Sequence, residues 1–198
     1  MNKNKITTII FDLGNVLVDV DYKAFCLAMN WDYDQFIKFI NSPFFPEFET
    51  GKHSVKEFFQ ELSKYIPLQD GDEERYKNTL SKKFPLRPRT WARLHYLKKK
   101  YTIILFSNTN ILDYEALDKE FELKRVIRKS YVSFAHGFNK PDPKSYERLE
   151  ALFGIDPSST LFVDDKAENI ETAREFGWQA EVIVNEQRLF EVFEKYSL

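Results

Sequence analysis

A single cysteine, Cys26, in 198 residues excludes an intramolecular disulfide, so packing and hydrogen bonding must hold the chain folded. Cys26 lies in an apolar helical segment, where a plain core role is expected. Excess charge of either sign is also missing, with 29 basic residues against 31 acidic ones. That balance gives no electrostatic footprint for nucleic acid or for an anionic membrane, and no partner of either kind is expected. The one basic cluster, Lys98-Lys99-Lys100, reads as a solvated helix end favoured by the helix dipole. No run is apolar for long enough to span a bilayer, and Met1-Asn2-Lys3-Asn4-Lys5 leads straight into a strand with no signal or transit pattern. The expectation is a soluble cytoplasmic protein. Internal repeats and low-complexity tracts are absent, and no segment sets an oligomeric state. A chain of this length can bury one substantial core and add a small accessory domain.

Four segments carry chemistry. Ile9-Ile10-Phe11-Asp12-Leu13-Gly14-Asn15-Val16-Leu17 is an apolar run ending in one carboxylate and a glycine turn. It reads as a buried parallel strand that delivers Asp12 to the carboxyl edge of a sheet, where open α/β folds place ligands. Asp12 is the leading candidate for a nucleophile, although an Asp there also suits a turn or a helix cap. Ile103-Ile104-Leu105-Phe106-Ser107-Asn108-Thr109-Asn110 ends in small hydroxyl and amide residues that can serve an anion or a helix cap. In Gly137-Phe138-Asn139-Lys140-Pro141-Asp142-Pro143, Lys140 precedes a helix that Asp142 can cap and Pro143 can begin. Thr160-Leu161-Phe162-Val163-Asp164-Asp165 finishes in two adjacent acids, an unfavourable placement unless a cation or solvent screens them.

Strands are expected near 6–11, 101–106, 130–133, 160–164 and 180–184, alternating with helices near 88–99, 111–119, 143–153, 167–176 and 186–196. The alternation argues for a parallel sheet covered on both faces. The interval from Asp19 to Lys83 breaks it. Helical patterns fall near 22–29, 32–40, 54–65 and 72–82, joined by an aromatic loop Pro43-Phe44-Phe45-Pro46-Glu47-Phe48. Ser54-Val55-Lys56-Glu57 fits a capping box.

In this order the four segments resemble the haloacid dehalogenase superfamily, whose members are mostly aspartate-nucleophile phosphatases. The motifs correspond to Asp12 with its turn, Ser107-Asn108, Lys140-Pro141 and Asp164-Asp165. Phe11-Asp12-Leu13-Gly14-Asn15-Val16, Ser107-Asn108-Thr109-Asn110 and Asp164-Asp165 with Glu168-Asn169-Ile170 further resemble the branch that includes α-D-glucose-1-phosphate phosphatase. The resemblance implies an α/β fold, a Rossmann-like parallel sheet core with a small helical cap inserted after the first strand. The core would comprise residues 1–18 and 84–198, and the cap residues 19–83. It implies a Mg²⁺-dependent phosphatase acting on a small phosphate ester, such as a hexose 1-phosphate, through an aspartyl-phosphate. Asp12 would be the nucleophile, Lys140 the catalytic positive charge, and Ser107, Asn108 and Lys140 the phosphate ligands. Asp12, the Gly14 carbonyl and Asp165 would bind the metal, with Asp164 attached through water. Glu49-Thr50-Gly51 matches a Glu-x-Gly turn of capped members, for which a structural role suffices, and Phe44, Phe45 and Phe48 are expected in the cap's own core.

One departure is chemical. Most phosphatases of this superfamily carry a second aspartate, an acid–base group, two positions after the nucleophile; here that position is Gly14. Its loss typically costs a factor on the order of 10² to 10⁴. An anomeric leaving group, more acidic than an ordinary alcohol, would suffer least, and Asp19 or a cap residue could supply the proton. Two alternatives remain open: a non-catalytic phosphate-binding protein, and a 2-haloacid dehalogenase, which needs no metal and so leaves the Asp164-Asp165 pair unexplained.

Overall fold

The computed structural model describes residues 5–198. Residues 1–4, part of the opening behind the expectation that no signal or transit pattern is present, lie outside them. Strand β1 is Thr8–Phe11, and the chain then makes helices α1 (Tyr22–Met29), α2 (Tyr33–Ile40), α3 (Phe44–Glu49), α4 (Val55–Leu62) and α5 (Asp72–Thr79). A 3₁₀ turn, Leu80–Lys83, leads into α6 (Pro88–Leu97). From there the order is β2 (Thr102–Ser107), α7 (Ile111–Phe121), α8 (Leu123–Val126), β3 (Lys129–Val132), α9 (Ser133–His136) and α10 (Pro143–Phe153). Strand β4 (Thr160–Asp164), α11 (Ala167–Glu175), β5 (Gln179–Val182) and α12 (Glu186–Lys195) complete the chain.

The five strands form one parallel sheet in the order β3-β2-β1-β4-β5, with β1 at its centre. Alternate residues of each strand face opposite sides. Ile9, Phe11, Leu105 and Val163 join Trp91, Leu94, Tyr114 and Phe193 in one layer, while Ile10, Ile104, Phe106 and Phe162 join Tyr146, Ile170 and Trp178 in the other. Burial on both faces is why the strands read as unbroken apolar runs. Phe11 pairs with Leu105 on one side and Val163 on the other, so Asp12, Phe106 and Asp164 come level at the carboxyl edge.

Helices α1–α5 build a second core, dominated by aromatic rings. Phe39 meets Phe58 at 5.2 Å and 80°, and Phe25 meets Tyr76 at 5.2 Å and 81°, both edge-to-face. Leu112 of α7 completes this cluster, so the bundle rests on the helix that follows β2. Two crossing segments join bundle to sheet and lie side by side: Val18 bridges Leu86, and the Asp19 and Asp21 N–H groups donate to the Pro85 and Lys83 carbonyls.

The capping signals behave as expected. Ser54 and Glu57 form a reciprocal capping box, Asp142 caps α10 with Pro143 in its first turn, and Asn110 caps α7. Four expectations need correction. Residues 44–49 form helix α3 rather than a loop, because packing of Phe45 and Phe48 against Phe39 and Phe58 outweighs the two prolines. The pattern over 72–82 divides into α5 and the 3₁₀ turn, which brings Lys83 onto Asp113 at 2.7 Å. The helix expected over 54–65 ends at Leu62, where the Tyr65 and Ile66 N–H groups close turns onto its carbonyl. The first strand is regular only from Thr8, although the Thr7 N–H still donates to the Ser159 carbonyl.

Candidate active site

The loop after β1 carries Asp12, whose N–H donates to the Val163 carbonyl and so fixes the turn against β4. Lys140 arrives from the segment before α10. Asn108 brackets its backbone: the Lys140 N–H donates to Asn108 Oδ1 at 2.7 Å and Asn108 Nδ2 donates to the Lys140 carbonyl at 2.8 Å. The Asn108 amide therefore orients the lysine.

The Lys140 side chain is buried, and its Nζ donates to Asp12 Oδ1 at 2.8 Å, Asp164 Oδ2 at 2.5 Å and the Phe106 carbonyl at 2.7 Å. All three ammonium protons are thereby used. Burial opposes the charge, but Asp12 and Asp164 outweigh it and hold the lysine pKa above its ordinary value. Asp164, also buried, accepts from the Lys166 N–H at 2.8 Å and from Asn169 Nδ2 at 2.9 Å through its other oxygen. Asp165 is half-buried and accepts from Asn15 Nδ2 at 2.9 Å. Asn15 holds a left-handed backbone at φ 56°, a conformation asparagine tolerates better than most residues.

Asp12, Asp164 and Asp165 each bring a carboxylate oxygen within 4.8 Å of the others. Asp12 and Asp164 thus share one lysine, and Asp165 has no cationic partner among the described residues. Burial pushes the Asp12 carboxyl up to about 7, with Asp164 and Asp165 adding to the rise and Lys140 opposing it. An all-oxygen donor set with residual negative charge suits a hard divalent cation.

A cavity of about 280 Å³ opens above this cluster. Asp12, Gly14, Ser107, Asn108, Lys140 and Asp165 line it, while Asp164 lies behind them. All seven residues singled out in the sequence therefore converge on one place. Asp19 does not line the cavity; its carboxylate pairs with Arg87 at 2.5 Å. Its suggested role as proton donor is set aside on that ground.

Several lining residues had no assigned role. Tyr22 and Glu49 come from the helical bundle, and Asn169 from α11. A smaller adjoining chamber, about 80 Å³, is bounded by Tyr22, Phe45, Glu49, Lys83 and Asp113. Asp113 Oδ2 accepts from Lys83 Nζ and from Asn110 Nδ2, whereas its buried Oδ1 has no partner. Burial pushes the Glu49 carboxyl up to about 7, helped by Asp113 and opposed by Lys83 and Lys166. The Glu-x-Gly turn was the one sequence signal pointing at Glu49. Lys83 and Asp113 carried none, since 30 residues separate them and only packing joins them.

Comparison with known proteins follows the same lines. A family profile described as haloacid dehalogenase-like hydrolase matches residues 6–177. A D-ribitol-5-phosphate phosphatase of Bacteroides thetaiotaomicron is 31% identical over 186 residues, covering 88% of this chain and 90% of the relative. A HAD-like hydrolase structure from Porphyromonas gingivalis superposes with a TM-score of 0.78 at 25% identity, covering 96% of this chain and 97% of that one. A HAD family enzyme from Bacteroides thetaiotaomicron, solved with magnesium and inorganic phosphate, superposes at 0.76 with 23% identity, over 89% and 93% of the two chains.

Proposed function

The chain belongs to the haloacid dehalogenase-like hydrolases, and from that membership we propose a Mg²⁺-dependent phosphatase of small phosphorylated metabolites, sugar phosphates foremost. The observation that carries this reading is the Asp12–Lys140–Asp164 cluster at the floor of the cavity. Lys140 holds Asp12 Oδ1, and no hydrogen bond among the described residues reaches Oδ2, which is left to attack. Asp12 would displace the alcohol from phosphorus and form an aspartyl-phosphate, which water then hydrolyses. Ser107 and the Asn108 backbone would hold the phosphoryl oxygens, and Lys140 would offset their charge. The donor set fits Mg²⁺: Asp12, the Gly14 carbonyl and Asp165 would hold it, with Asp164 attached through water. Bound there, Mg²⁺ supplies neutralisation of the charge that builds between carboxylate and phosphoryl group.

Residues 19–83 would serve as a cap over a core formed by residues 1–18 and 84–198, excluding water and shaping the leaving-group site. Tyr22, Glu49, Lys83 and the unpartnered Asp113 oxygen offer a polar wall suited to hydroxyl groups. That wall, together with the alditol phosphate named for the relative, supports a polyhydroxylated leaving group.

The test is phosphate release from sugar phosphates, alditol phosphates, nucleotides and an aryl phosphate, with Mg²⁺ or EDTA, for wild type and Asp12→Asn. Metal-dependent release that the variant loses is expected. Tight phosphate binding without turnover on any ester would instead establish a binding protein, with Gly14 as the reason. Halide release from a 2-haloacid that persists in EDTA would establish a dehalogenase.

A further inference from the structure

Cleaving an alkyl phosphate ester leaves an alkoxide unless a proton arrives as the bond breaks, and a positioned acid contributes about 10²- to 10⁴-fold. Position 14 cannot provide it. Gly14 has no side chain, and a Cβ there would already meet Val20 Cγ2 at 3.1 Å. Lys140 spends its three protons on acceptors, Asp165 belongs to the cation set, and Asp19 is held by Arg87. Burial raises the Tyr22 hydroxyl pKa, making it a weaker acid than an ordinary phenol.

Of the carboxyl groups that line the cavity above Asp12, one remains. Glu49 sits at the C-terminal end of α3 and lines both the cavity above Asp12 and the adjoining chamber. No hydrogen bond or ion pair to its side chain is found among the described residues. Its position is enforced two residues later. Gly51 has φ 75°, and a Cβ on it would lie 2.3 Å from the Phe134 carbonyl oxygen, so only glycine lets α3 settle this closely on α9. The close approach anchors the end of α3 to the sheet domain and keeps the Glu49 carboxyl at the site.

We propose that Glu49 is the acid–base residue of this phosphatase, standing in for the carboxylate that position 14 lacks; the proposal rests on the phosphatase reading above. In the first half-reaction an Asp12 oxygen bonds to phosphorus. The phosphorus–oxygen bond to the leaving group breaks, and the leaving oxygen keeps the electron pair and takes the Glu49 proton. In the second half-reaction the Glu49 carboxylate takes a proton from water as the water oxygen bonds to phosphorus. The bond from phosphorus to Asp12 then breaks, its electrons return to the carboxylate, and Glu49 is protonated again. The charged groups around Glu49 are Asp113 on α7, Lys83 on the 3₁₀ turn, Lys166 before α11 and Asp12 after β1. With burial they hold its carboxyl at about 7, where one group can act in both directions near neutrality.

The experiment compares kcat/KM of wild type and Glu49→Gln on two esters under saturating Mg²⁺: an alditol or sugar phosphate, and p-nitrophenyl phosphate. The nitrophenolate leaves without a proton, whereas the alkoxide does not. A fall of about 10² or more is expected on the alkyl ester and less than about tenfold on the aryl ester. Because both esters are read with the same protein, the ratio does not depend on the fraction of folded enzyme. The alkaline limb of the wild-type pH profile on the alkyl ester is expected to disappear in the variant. Equal losses on both esters, or no loss on either, overturn the assignment and leave the phosphatase reading standing, provided wild type turns over and Asp12→Asn does not. Silence of wild type on both esters overturns both.

Discussion

At the residue scale the site is an electrostatic imbalance. Lys140 supplies one positive charge against Asp12, Asp164 and Asp165, and the Asp12 carboxyl is pushed from 3.8 up to about 7, chiefly by burial. A carboxyl whose pKa is raised on folding adds stability below its unfolded value, and that contribution is lost as pH rises through the folded value. For Asp12 the loss runs from about 4 to about 7, and for Glu49 from 4.5 to about 7. Metal-free protein is therefore expected to lose stability across that window. A cation bound to the ionised cluster reverses the trend, since its affinity grows as protons leave. Thermal melting with and without Mg²⁺ checks this: the Mg²⁺-induced rise in Tm is expected to be larger at about pH 8 than at about pH 5.5. An equal or larger rise at the lower pH would contradict Asp12 as a ligand. Cys26 shows the opposite use of burial. Its thiol is buried and pushed up to about 11 mainly by desolvation, in keeping with the core role read from the sequence.

At the scale of elements, α3 shows how a short helix can position chemistry. It is six residues long and contains a proline, and the rings of Phe45 and Phe48 hold it in the bundle. Its far end is set by Gly51 against Phe134. Gly51→Ala introduces both a strained left-handed alanine and an overlap with a backbone carbonyl, so α3 has to lift from α9. The expected outcome is a Tm loss from a cost of about 1 kcal/mol or more, with a drop in kcat/KM on alkyl phosphates exceeding that on p-nitrophenyl phosphate. A variant that melts lower but keeps wild-type kinetics on both esters would show that the contact is structural alone. This element also marks the limit of sequence reading. The strands and their carboxyl ends were legible because a doubly buried parallel strand is apolar throughout and stops at a polar turn, as Phe11-Asp12 and Val163-Asp164 do. The capping residues Ser54, Asn110 and Asp142 were legible because caps are local. Helix α3 was not, since its stability comes from rings on α2 and α4 rather than from propensity. Asp113 and Lys83 were invisible for the same reason, because each is an ordinary surface residue until packing buries the pair.

For the whole molecule the question is whether bundle and sheet domain behave as one body. Two observations tie them. Leu112 of α7 belongs to the aromatic core of the bundle, and Lys83, at the end of the bundle, is buried against Asp113 of α7 at 2.7 Å. Burial opposes the Lys83 charge, but Asp113 and Tyr22 more than compensate and raise its pKa above 10.5. On the lysine side the charge persists through the physiological range, and its contribution is lost as pH climbs past the raised value. Breaking a buried pair by removing one partner costs about 3–5 kcal/mol, whereas replacing both with apolar residues of similar volume is often near neutral. Lys83→Met is accordingly expected to destabilise strongly, and the double variant Lys83→Met with Asp113→Leu to recover most of the loss in chemical denaturation. The tryptophans make the coupling visible, since Trp31 packs on the bundle core while Trp91 and Trp178 sit in the two layers of the sheet domain. In single-tryptophan variants the wild-type unfolding curves at Trp31 and Trp178 are expected to coincide. In the Lys83→Met background the Trp31 transition should come first, because the bundle loses its buried tie while the sheet keeps both of its layers. Separate transitions already in the wild-type background would mean that the bundle folds independently, with the crossing segments at Val18–Leu86 acting as a hinge rather than the pair acting as a lock.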